Sequence, residues 1–539
     1  MGHGKGGMTM QNTLYTRALY PYDALFSPLY CGVLSLKNRI IAVPPDGLTP
    51  LRAERFALEA AAGGAGLVCT EQTELCEKIR KLGSRAFYLT KGKRFSAVLN
   101  CDGVCIDLRD MPLGKAAETV KNALKTLGGA MPILCMVSVT KTNIAGLNYL
   151  AWAGADMLCI EPRADAALWM RRPTEGMAAG CFLELARLAK TVTDIPIAAC
   201  GKLGYPDIAE AALRDGACDA VVLGRALLAD PDWCNKAQSG AVDDIIPYIN
   251  SEGRLLAKTC TAGERKRIAV IGGGLTGMSF ALCAANRGHA VELFESGARL
   301  GGRLYAEQGP DTLGYRRWLI LKLCRSENVQ IYLNSYVDAS QLLKGGCDAV
   351  VYANGTRLRP EPNIPNWGDI PFAPLWVLAG GKRFSARQIA ILGGGREACK
   401  FAHRLKNEQP TARVTVIDEI GDIMINSPSN EREWFRKTLE MQGVRLIMHA
   451  APVRISEGCL LVRQSCSAAL GTAFSSGTFI RSVPCDLIVL AQEEIPDTSH
   501  YKAARSELPD APLYCLTGSF VPCDIVAATR AAYGLAQRI

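Results

Sequence analysis

The sequence has few histidines and no C-x-x-C cysteine pair. Only five of its 539 residues are histidine, and none of these lies between Gln11 and Asn250. It contains 21 cysteines, but no two of them form a C-x-x-C pair, which argues against the common zinc and iron–sulfur frameworks. Nearly all sit inside apolar runs, so small buried thiols in a reducing compartment explain them better than disulfides do. We therefore predict no metal site.

Long apolar runs and stripes of one charge are also missing. No apolar run approaches the ~20 residues that span a membrane, and Met1 to Met10 lacks the apolar core of a secretory signal. The net charge of +9 comes from lysines and arginines scattered among acids, without a basic stripe. We expect a cytoplasmic protein that binds neither membranes nor nucleic acid.

A glycine-rich turn follows an apolar strand in the second half of the chain. Arg267–Ile271 is predicted to be a buried parallel strand, and Gly272-Gly-Gly-Leu-Thr-Gly277 follows it directly. An apolar helix comes next, and a second strand, Ala290–Phe294, ends in Glu295. Strand, glycines, helix, strand and terminal acid in this order indicate a dinucleotide-binding fold.

Each residue of this pattern has a physical task. Gly272 permits the tight turn, and Gly274 lets the backbone approach a pyrophosphate. Gly277 lets the helix pack closely on the strand, while the helix N-terminus supplies partial positive charge. We expect Glu295 to accept hydrogen bonds from the hydroxyls of an adenosine ribose.

Two further segments favour FAD over NAD at this turn. Gly301, Gly302 and Arg303 resemble a Gly-Gly turn that FAD-binding disulfide-reductase-like proteins carry after the acid. The strand that ends in Asn354-Gly355 resembles their Ala-Thr-Gly turn beside the flavin, with Asn354 in place of the usual Thr. Of these residues, Gly301, Gly302, Arg303 and Gly355 are predicted to lie around FAD.

The last strand of the chain departs from those relatives. Where they end it in Gly-Asp, whose carboxylate holds the ribityl chain of the flavin, this sequence has Gly518-Ser519. A hydroxyl still forms hydrogen bonds, but it is neutral and shorter than the carboxylate. We predict that Gly518 and Ser519 contact FAD and retain it less firmly.

A second glycine turn has the pattern of an inserted NAD(P)H-binding subdomain. Strand Gln388–Leu392 leads into a turn that carries Gly393, Gly395 and Ala398, and the partner strand ends in Asp418. Ala398 is tolerated at the third position because only close packing is required there. Since an acid at the strand end suits an unphosphorylated ribose, NADH is favoured over NADPH. The alternative is that this fold persists and binds nothing.

The first half of the chain alternates short apolar strands with helical stretches. Eight strands in β/α order predict a TIM barrel, whose active sites lie at the C-terminal ends of the strands. The predicted strands are Arg39–Pro44, Gly66–Thr70, Ala86–Leu89, Gly103–Leu108, Pro132–Val139, Met157–Glu161, Pro196–Gly201 and Ala220–Gly224.

Both ends of this barrel resemble the Old Yellow Enzyme family. The opening stretch Leu25-Phe-Ser-Pro-Leu29, followed by Leu36-Lys-Asn-Arg-Ile40, is similar to the start of that family. The stretch Leu223-Gly-Arg-Ala-Leu-Leu-Ala-Asp-Pro231 resembles its last strand and phosphate turn. A barrel followed by FAD and NAD(P)H domains is the layout of its 2,4-dienoyl-CoA reductase, trimethylamine dehydrogenase and bile-acid-inducible branch.

The resemblance implies an α/β fold with an N-terminal TIM (β/α)8 barrel, followed by an FAD-binding Rossmann-like domain with an inserted NAD(P)H-binding Rossmann-like domain. The implied segments are an N-terminal extension at 1–21, the barrel at 22–255, the FAD-binding domain at 256–375 and 485–539, and the NAD(P)H-binding domain at 376–484.

The resemblance also implies a route for electrons, from NAD(P)H through FAD and a four-iron cluster to FMN in the barrel. The family holds its cluster with cysteines in a loop after the barrel. The corresponding positions here are Tyr248, Ser251 and Leu255, and Cys260 alone is a remnant. Because thiolates hold such clusters and one cysteine cannot, we expect the iron–sulfur cluster to be absent.

The barrel also lacks side chains on which the chemistry of the family depends. A histidine pair, or a histidine and an asparagine, is expected above the flavin, and this segment has no histidine. Asp107, Arg109 and Asp110 occupy the expected loop, and we interpret them as a solvated loop rather than as an acid or an anchor. No catalytic residue is identified.

FMN binding in the barrel stays open. Gly201-Lys202 and Gly224-Arg225 offer backbone amides and cationic side chains suited to a phosphate. The residues expected to recognise the flavin ring correspond to Met136 and Tyr88, neither of which is the arginine or glutamine of the family. The sequence thus keeps groups that suit a phosphate and lacks the side chains that the family uses to recognise the flavin ring.

Three functions remain open. The first is an oxidoreductase in which NADH reduces FAD and electrons leave to a partner protein or small acceptor. The second is a non-catalytic subunit that pairs with an active paralogue. The third is an enone reductase that uses barrel FMN. A homo-oligomer and a hetero-oligomer with a paralogous subunit are both compatible with these readings.

Overall fold

A computed structural model describes most of the chain, and the residues it describes form two compact units. The first unit comprises the described residues between 22 and 173 and between 177 and 249, and the second comprises residues 174–176 and those described between 263 and 539. The described residues are 22–91, 100–163, 172–249, 263–305, 309–357, 360–379, 385–467, 476–491, 495–516 and 525–539.

The first unit is a closed barrel of eight parallel strands preceded by a short hairpin. Its strands are β1 (Leu29–Cys31), β2 (Leu34–Leu36), β3 (Ile40–Ala42), β4 (Leu67–Thr70), β5 (Arg85–Thr90), β6 (Gly103–Asp107), β7 (Ile133–Val139), β8 (Met157–Pro162), β9 (Ile197–Ala199) and β10 (Ala220–Leu223). Its α-helices are α1 (Pro50–Ala62), α2 (Leu75–Lys81), α3 (Leu113–Thr126), α4 (Asn148–Trp152), α5 (Leu183–Lys190), α6 (Pro206–Arg214), α7 (Arg225–Ala229) and α8 (Trp233–Gln238). The barrel runs from β3 to β10 in chain order, and β10 pairs with β3 to close it.

Two apolar layers hold the barrel together. One lies between the strands and the surrounding helices. The other fills the interior, with Leu67, Phe87, Leu134 and Met157 among its members. The β1–β2 hairpin packs against this interior layer. The eight predicted strands are confirmed because each is an apolar run flanked by a turn, which is what a strand buried on both faces requires.

The second unit contains two parallel sheets, each with the order of a nucleotide-binding fold. Its strands are β11 (Arg267–Ile271), β12 (Ala290–Phe294), β13 (Val329–Tyr332), β14 (Ala349–Tyr352), β15 (Thr356–Arg357), β16 (Phe372–Pro374), β17 (Gln388–Leu392), β18 (Arg413–Ile417), β19 (Arg445–Ile447), β20 (Ala450–Ser456), β21 (Cys459–Ser467), β22 (Ser476–Pro484), β23 (Leu487–Leu490), β24 (Ile495–Pro496) and β25 (Leu513–Cys515).

The helices of this unit cover the sheets. They are α9 (Leu275–Asn286), α10 (Pro310–Cys324), α11 (Ala339–Lys344), α12 (Leu375–Ala379), α13 (Arg396–Glu408), α14 (Ser429–Met441), α15 (Ser499–Glu507) and α16 (Ile525–Ala536). The first sheet has the order β13-β12-β11-β14-β25, and the second has the order β16-β23-β17-β18-β19. A three-stranded antiparallel sheet, β20-β21-β22, lies beside the second one in the chain.

One strand belongs to a different sheet from the one predicted. The sequence analysis predicted that Leu487–Leu490 belongs to the FAD-binding domain. In the structure, β23 pairs with both β17 and β16, so it lies in the second sheet. A short apolar run indicates a buried strand without specifying its neighbour, which explains the error. The last strand, β25, pairs with β14 in the first sheet as predicted.

Among the described residues, no helix is long and apolar enough to cross a membrane. The described cysteines are free thiols, and most of them are buried.

Candidate dinucleotide sites and the barrel mouth

The first glycine turn joins β11 to α9 in the first sheet. Gly272 has φ of +113° and its N–H donates to the carbonyl oxygen of Phe294 at 2.8 Å. The Glu295 carboxylate accepts from the N–H of Gly273 and from the N–H of Gly297, both at 2.7 Å. The structure thus brings the predicted acid to the turn.

Close backbone approach explains the glycines of this turn. A Cβ on Gly272 would lie 2.3 Å from the carbonyl oxygen of Ala353, and one on Gly277 would lie 1.9 Å from the carbonyl oxygen of Gly272. By contrast, a Cβ on Gly274 would meet nothing within 4 Å. Gly274 caps the N-terminus of α9, so open space lies where backbone amides and the helix dipole favour an anion.

The predicted Gly-Gly segment packs on this turn. The N–H of Gly301 donates to the carbonyl oxygen of Gly273 at 2.9 Å, and both Gly301 and Gly302 have positive φ. A Cβ on Gly302 would lie 3.3 Å from Cα of Gly274. The Arg303 guanidinium lies 5.9 Å from the ring centroid of Trp376. The Gly301-Gly302 turn therefore lies directly against the first glycine turn.

The Asn354-Gly355 turn follows the adjacent strand, β14. Gly355 has φ of +83° and open space around its Cβ position. The side-chain oxygen of Asn354 is buried and accepts no hydrogen bond from the described part of the chain. A buried acceptor beside the glycine turn fits a ligand that supplies a donor. The predicted residues Gly518 and Ser519 lie outside the described residues.

The second glycine turn, between β17 and α13, repeats this geometry. Gly393 has φ of +115°, and its N–H donates to the carbonyl oxygen of Ile417 at 2.8 Å. The N–H of Met424 donates to the carbonyl oxygen of Gly394 at 2.8 Å, as that of Gly301 does to Gly273. A Cβ on Gly395, which caps α13, would meet nothing within 4 Å.

The acid and the alanine of the second turn also take the predicted places. The Asp418 carboxylate accepts from the N–H of Gly394 and from the N–H of Ile420. Ala398 is buried in the core of this sheet. The two turns of the unit are thus alike in dihedral angle, strand contact, acid and open helix N-terminus.

Sequence reasoning missed a buried charge cluster beside the second turn. Arg396, the residue after Gly395, forms ion pairs with Glu175 and Glu431, each at 2.9 Å. Lys400 lies 3.0 Å from Glu175, and the hydroxyl of Thr312 donates to Glu175 at 2.7 Å. The charged residues within the turn itself are the only signal in the sequence that points to this cluster.

Glu175 is charged across the ordinary pH range. Burial alone would raise the pKa of its carboxyl group, but the charges of Lys400 and Arg396 and the hydrogen bond from Thr312 lower it to about 2. The Arg396 guanidinium forms ion pairs with Glu175 and Glu431, so these two carboxylates offset its charge.

In the barrel unit, the candidate phosphate turns follow β9 and β10. Gly201 and Lys202 both have positive φ, +101° and +55°. The Lys202 ammonium donates to the carbonyl oxygen of Met177, and the Arg225 guanidinium to that of Pro173, each at 2.9 Å. A Cβ on Gly224 would lie 2.9 Å from the carbonyl oxygen of Val43. Both predicted cations are therefore bonded to carbonyl oxygens of this unit.

The barrel mouth, defined here as the ring of C-terminal strand ends, contains a buried charge cluster rather than a solvated loop. The Arg109 guanidinium contacts Asp107 at 2.8 Å, Asp46 at 2.9 Å and Glu161 at 3.4 Å. The Arg109 side chain is 13% exposed. The solvated-loop prediction is wrong for Asp107 and Arg109, because they pair with each other and Arg109 also reaches Asp46 and Glu161; Asp110 is exposed as predicted.

Tyr88, which corresponds to the glutamine that the family uses near the flavin ring, does not face the barrel interior. Tyr88 packs in the layer between strands and helices, whereas its neighbours Phe87 and Leu89 belong to the interior. Side chains alternate along a strand, so a shift of one position moves the residue to the other face. Met136, which corresponds to the expected arginine, lies in the interior.

Of the four positions matched to the family's cluster cysteines, the structure describes Tyr248 alone. The Arg225 guanidinium lies 5.2 Å from the centroid of its ring. Ser251, Leu255 and Cys260 lie outside the described residues. Within the ranges given above, no group of three or more His, Cys, Asp or Glu residues is arranged to hold a metal ion.

A protein-family model described as an NAD(P)-binding Rossmann-like domain matches residues 270–317. This segment begins in β11 and contains the first glycine turn, Glu295 and the Gly301-Gly302 turn. The match agrees with the nucleotide-binding fold of the first sheet.

Curated relatives are oxidoreductases. The chain is 31% identical over 282 residues to an NADH oxidase of Thermoanaerobacter brockii, covering 46% of this chain and 42% of that protein. It is 27% identical over 436 residues to a bilirubin reductase of Mediterraneibacter gnavus, covering 75% of this chain and 63% of that protein. The chain thus spans about half the length of the curated relatives it matches.

A solved structure shares the whole architecture. A 2-naphthoyl-CoA reductase complex matches with a TM-score of 0.79 at 16% identity, covering 96% of this chain and 100% of that one. At this identity the likeness concerns the fold, a barrel joined to nucleotide-binding domains.

A change of one glycine tests the first turn. We expect Gly277→Ala to weaken FAD binding by at least about tenfold, because its Cβ would lie 1.9 Å from the carbonyl oxygen of Gly272. Gly534→Ala in α16 is the matched control, since a Cβ there meets nothing within 4 Å. FAD retained after gel filtration, with circular dichroism as a check on folding, measures the effect. Equal retention by both variants would contradict the prediction.

The buried charge cluster predicts a pH-dependent stability. Because the folded pKa of Glu175 is about 2 and the unfolded one is about 4.3, its contribution is present above about pH 4 and is lost as the pH falls toward 2. We expect Glu175→Gln to lower the free energy of unfolding by about 3 kcal/mol at pH 7, and by less below pH ~4.

Urea unfolding at several pH values measures this difference. Glu408→Gln is the control, because Glu408 is 63% exposed and lies 3.6 Å from Arg404, where an ion pair contributes little. A Glu175→Gln variant whose loss of stability matches that of the control at pH 7 would show that the cluster does not stabilise the unit.

Proposed function

We propose that the chain is a flavin-dependent oxidoreductase similar to the Old Yellow Enzyme-like NADH:flavin oxidoreductases, and its curated oxidoreductase relatives support this. NADH reduces FAD in the second unit, and the electrons then leave to a partner protein or a small acceptor. The repeated glycine turn carries this proposal, because one unit offers two open helix N-termini with an acid beside each.

The first turn is the proposed FAD site. Gly272, Gly274 and Gly277 would hold the pyrophosphate against the N-terminus of α9, and Glu295 would turn from its backbone partners to the adenosine ribose. Asn354, with its buried acceptor, and Gly355 would lie beside the ring. FAD, when bound, supplies the chemistry of hydride acceptance; the residues of the chain bind and orient it.

The second turn is the proposed NADH site. Gly393 and Gly395 leave the N-terminus of α13 open to a pyrophosphate, and Asp418 would accept from the ribose hydroxyls. A carboxylate there repels the extra phosphate of NADPH, which favours NADH. Arg396 does not offer that phosphate a free cation, since Glu175 and Glu431 already hold it.

The proposal includes no iron–sulfur relay. Tyr248, Ser251 and Leu255 stand where the family has cysteines, and one remaining Cys260 cannot hold such a cluster. Without a relay, electrons that reach FAD have no metal route to the barrel. We therefore expect NADH to bleach FAD, and not to bleach FMN if the protein is supplied with FMN.

A non-catalytic role is the second candidate. The observation that favours it is the combined loss of barrel histidines, loop cysteines and the Gly-Asp carboxylate, replaced by Gly518-Ser519. In that case the chain would pair with an active paralogue, and purified protein would not be reduced by NADH. An enone reductase that uses barrel FMN would need ring recognition that Met136 and Leu89 do not supply.

Equivalent substitutions at the two turns test the assignment. Gly274 and Gly395 both have extended backbone angles that accept a side chain, and a Cβ at either meets nothing. We expect Gly395→Val to retain FAD and to slow its reduction by NADH at least about tenfold, because the side chain enters the pyrophosphate space. Gly274→Val should lose FAD itself.

Anaerobic stopped-flow reduction, followed by the visible absorbance of the flavin, measures the rates. Because a Cβ at either position meets nothing within 4 Å, unchanged melting temperatures of the apoproteins serve as the folding control. Rapid NADH reduction of Gly395→Val at the wild-type rate would contradict the NADH assignment, and FAD bound normally by Gly274→Val would contradict the FAD assignment.

A further inference from the structure

We propose that the barrel does not hold a flavin, because a buried cluster of charges around Arg109 closes its mouth. The family resemblance implies FMN at this place, and the residues that occupy it do not fit FMN. This inference concerns the first unit alone and goes beyond the proposed reaction at the two glycine turns.

The cluster joins three strand ends. Asp107 is the last residue of β6, Glu161 lies at the end of β8, and Asp46 follows β3. Arg109, two residues after Asp107, reaches all three carboxylates, and it contacts Asp107 through both Nε and Nη2 at 2.8 Å. Since strands β3, β6 and β8 lie at separate positions around the barrel, the guanidinium bridges its mouth.

Burial makes the cluster costly to displace. The side chains of Asp107, Arg109 and Glu161 are 10%, 13% and 9% exposed, whereas that of Asp46 is 43% exposed at the edge of the cluster. Burial alone would lower the pKa of Arg109, but Asp107, Glu161 and Asp46 raise it above its ordinary value. The guanidinium is therefore permanently charged, and a flavin ring entering here would separate buried charges from their partners, which is unfavourable.

The charge of the cluster also disfavours a flavin. Asp46, Asp107 and Glu161 supply three carboxylates against two guanidinium groups, those of Arg109 and of Arg172, which lies 3.9 Å from Asp46. The pyrimidine edge of a flavin gains negative charge on reduction, so carboxylates near it destabilise the reduced form. The arginine that the family places at this edge corresponds to Met136, which is apolar and buried.

The phosphate turns do not compensate for this. The Lys202 ammonium is bonded to the carbonyl oxygen of Met177, and the Arg225 guanidinium to that of Pro173. Each cation would have to exchange that bond for one to a phosphate. Helix α7, which begins at Arg225, has five residues, so its dipole adds little. Neither the ring nor the phosphate of FMN finds a prepared site.

The direct test is the flavin content of the full-length protein and its binding of added FMN. Flavins released from purified protein are identified by mass, and apoprotein is then titrated with FMN and with FAD. Two variants locate the binding: Gly274→Val blocks the first glycine turn, and Lys202→Ala removes a cation from the barrel phosphate turn. We expect FAD without FMN, and any weak FMN binding should disappear in Gly274→Val and persist in Lys202→Ala.

The outcomes separate the two proposals. FMN released in an amount equal to the chain, or FMN binding that survives Gly274→Val and is lost in Lys202→Ala, would overturn the inference. Protein that releases no flavin and rebinds neither FMN nor FAD would support a closed barrel and would refute the proposed FAD site.

Removing the central cation tests the cluster itself. We expect Arg109→Ala to lower the melting temperature by several degrees, because it leaves three carboxylates without their shared partner. Adding Asp107→Asn and Glu161→Gln to this variant should recover part of the loss. Arg187→Ala is the control, since Arg187 is 52% exposed and lies 3.7 Å from Asp215. An Arg109→Ala variant as stable as the control would show that the mouth is not held closed by these charges.

Discussion

Close backbone approach at two glycine turns is the constraint on which the second unit depends. Gly272 and Gly277 leave no room for a Cβ, and this contact fixes α9 against β11 with its N-terminus open. The second sheet repeats the arrangement at Gly393 and Gly395. Both open ends lie in one unit, which supports the proposed transfer of a hydride from NADH to FAD.

The first unit combines a closed barrel with a charge cluster at its mouth. Its interior is filled by apolar side chains, and its strands close as eight parallel neighbours. At the strand ends, where such barrels place their chemistry, Arg109 and its carboxylates satisfy one another instead. Stability of the barrel and its flavin chemistry are separable properties, since the first depends on the interior and the second on the ends.

Local patterns predicted the strands and both glycine turns, because each is encoded by contiguous residues. The charge clusters were not predictable in this way. Glu175 meets Arg396 across 221 positions of sequence and Thr312 across 137, and Arg109 meets Asp46 across 63. The sheet that contains β23 and the face on which Tyr88 lies were mistaken for the same reason, since a short apolar run specifies burial without specifying neighbours.

A crystal structure of the full chain with FAD and NADH tests the central claim most directly. We expect the pyrophosphate of FAD to lie beside Gly274, with Glu295 accepting from its ribose hydroxyls. We expect the pyrophosphate of NADH to lie beside Gly395, with Asp418 accepting from its ribose hydroxyls. The Arg109 cluster should remain intact in the same crystals. FAD or FMN found in the barrel mouth, or either glycine turn left empty at saturating ligand, would contradict it.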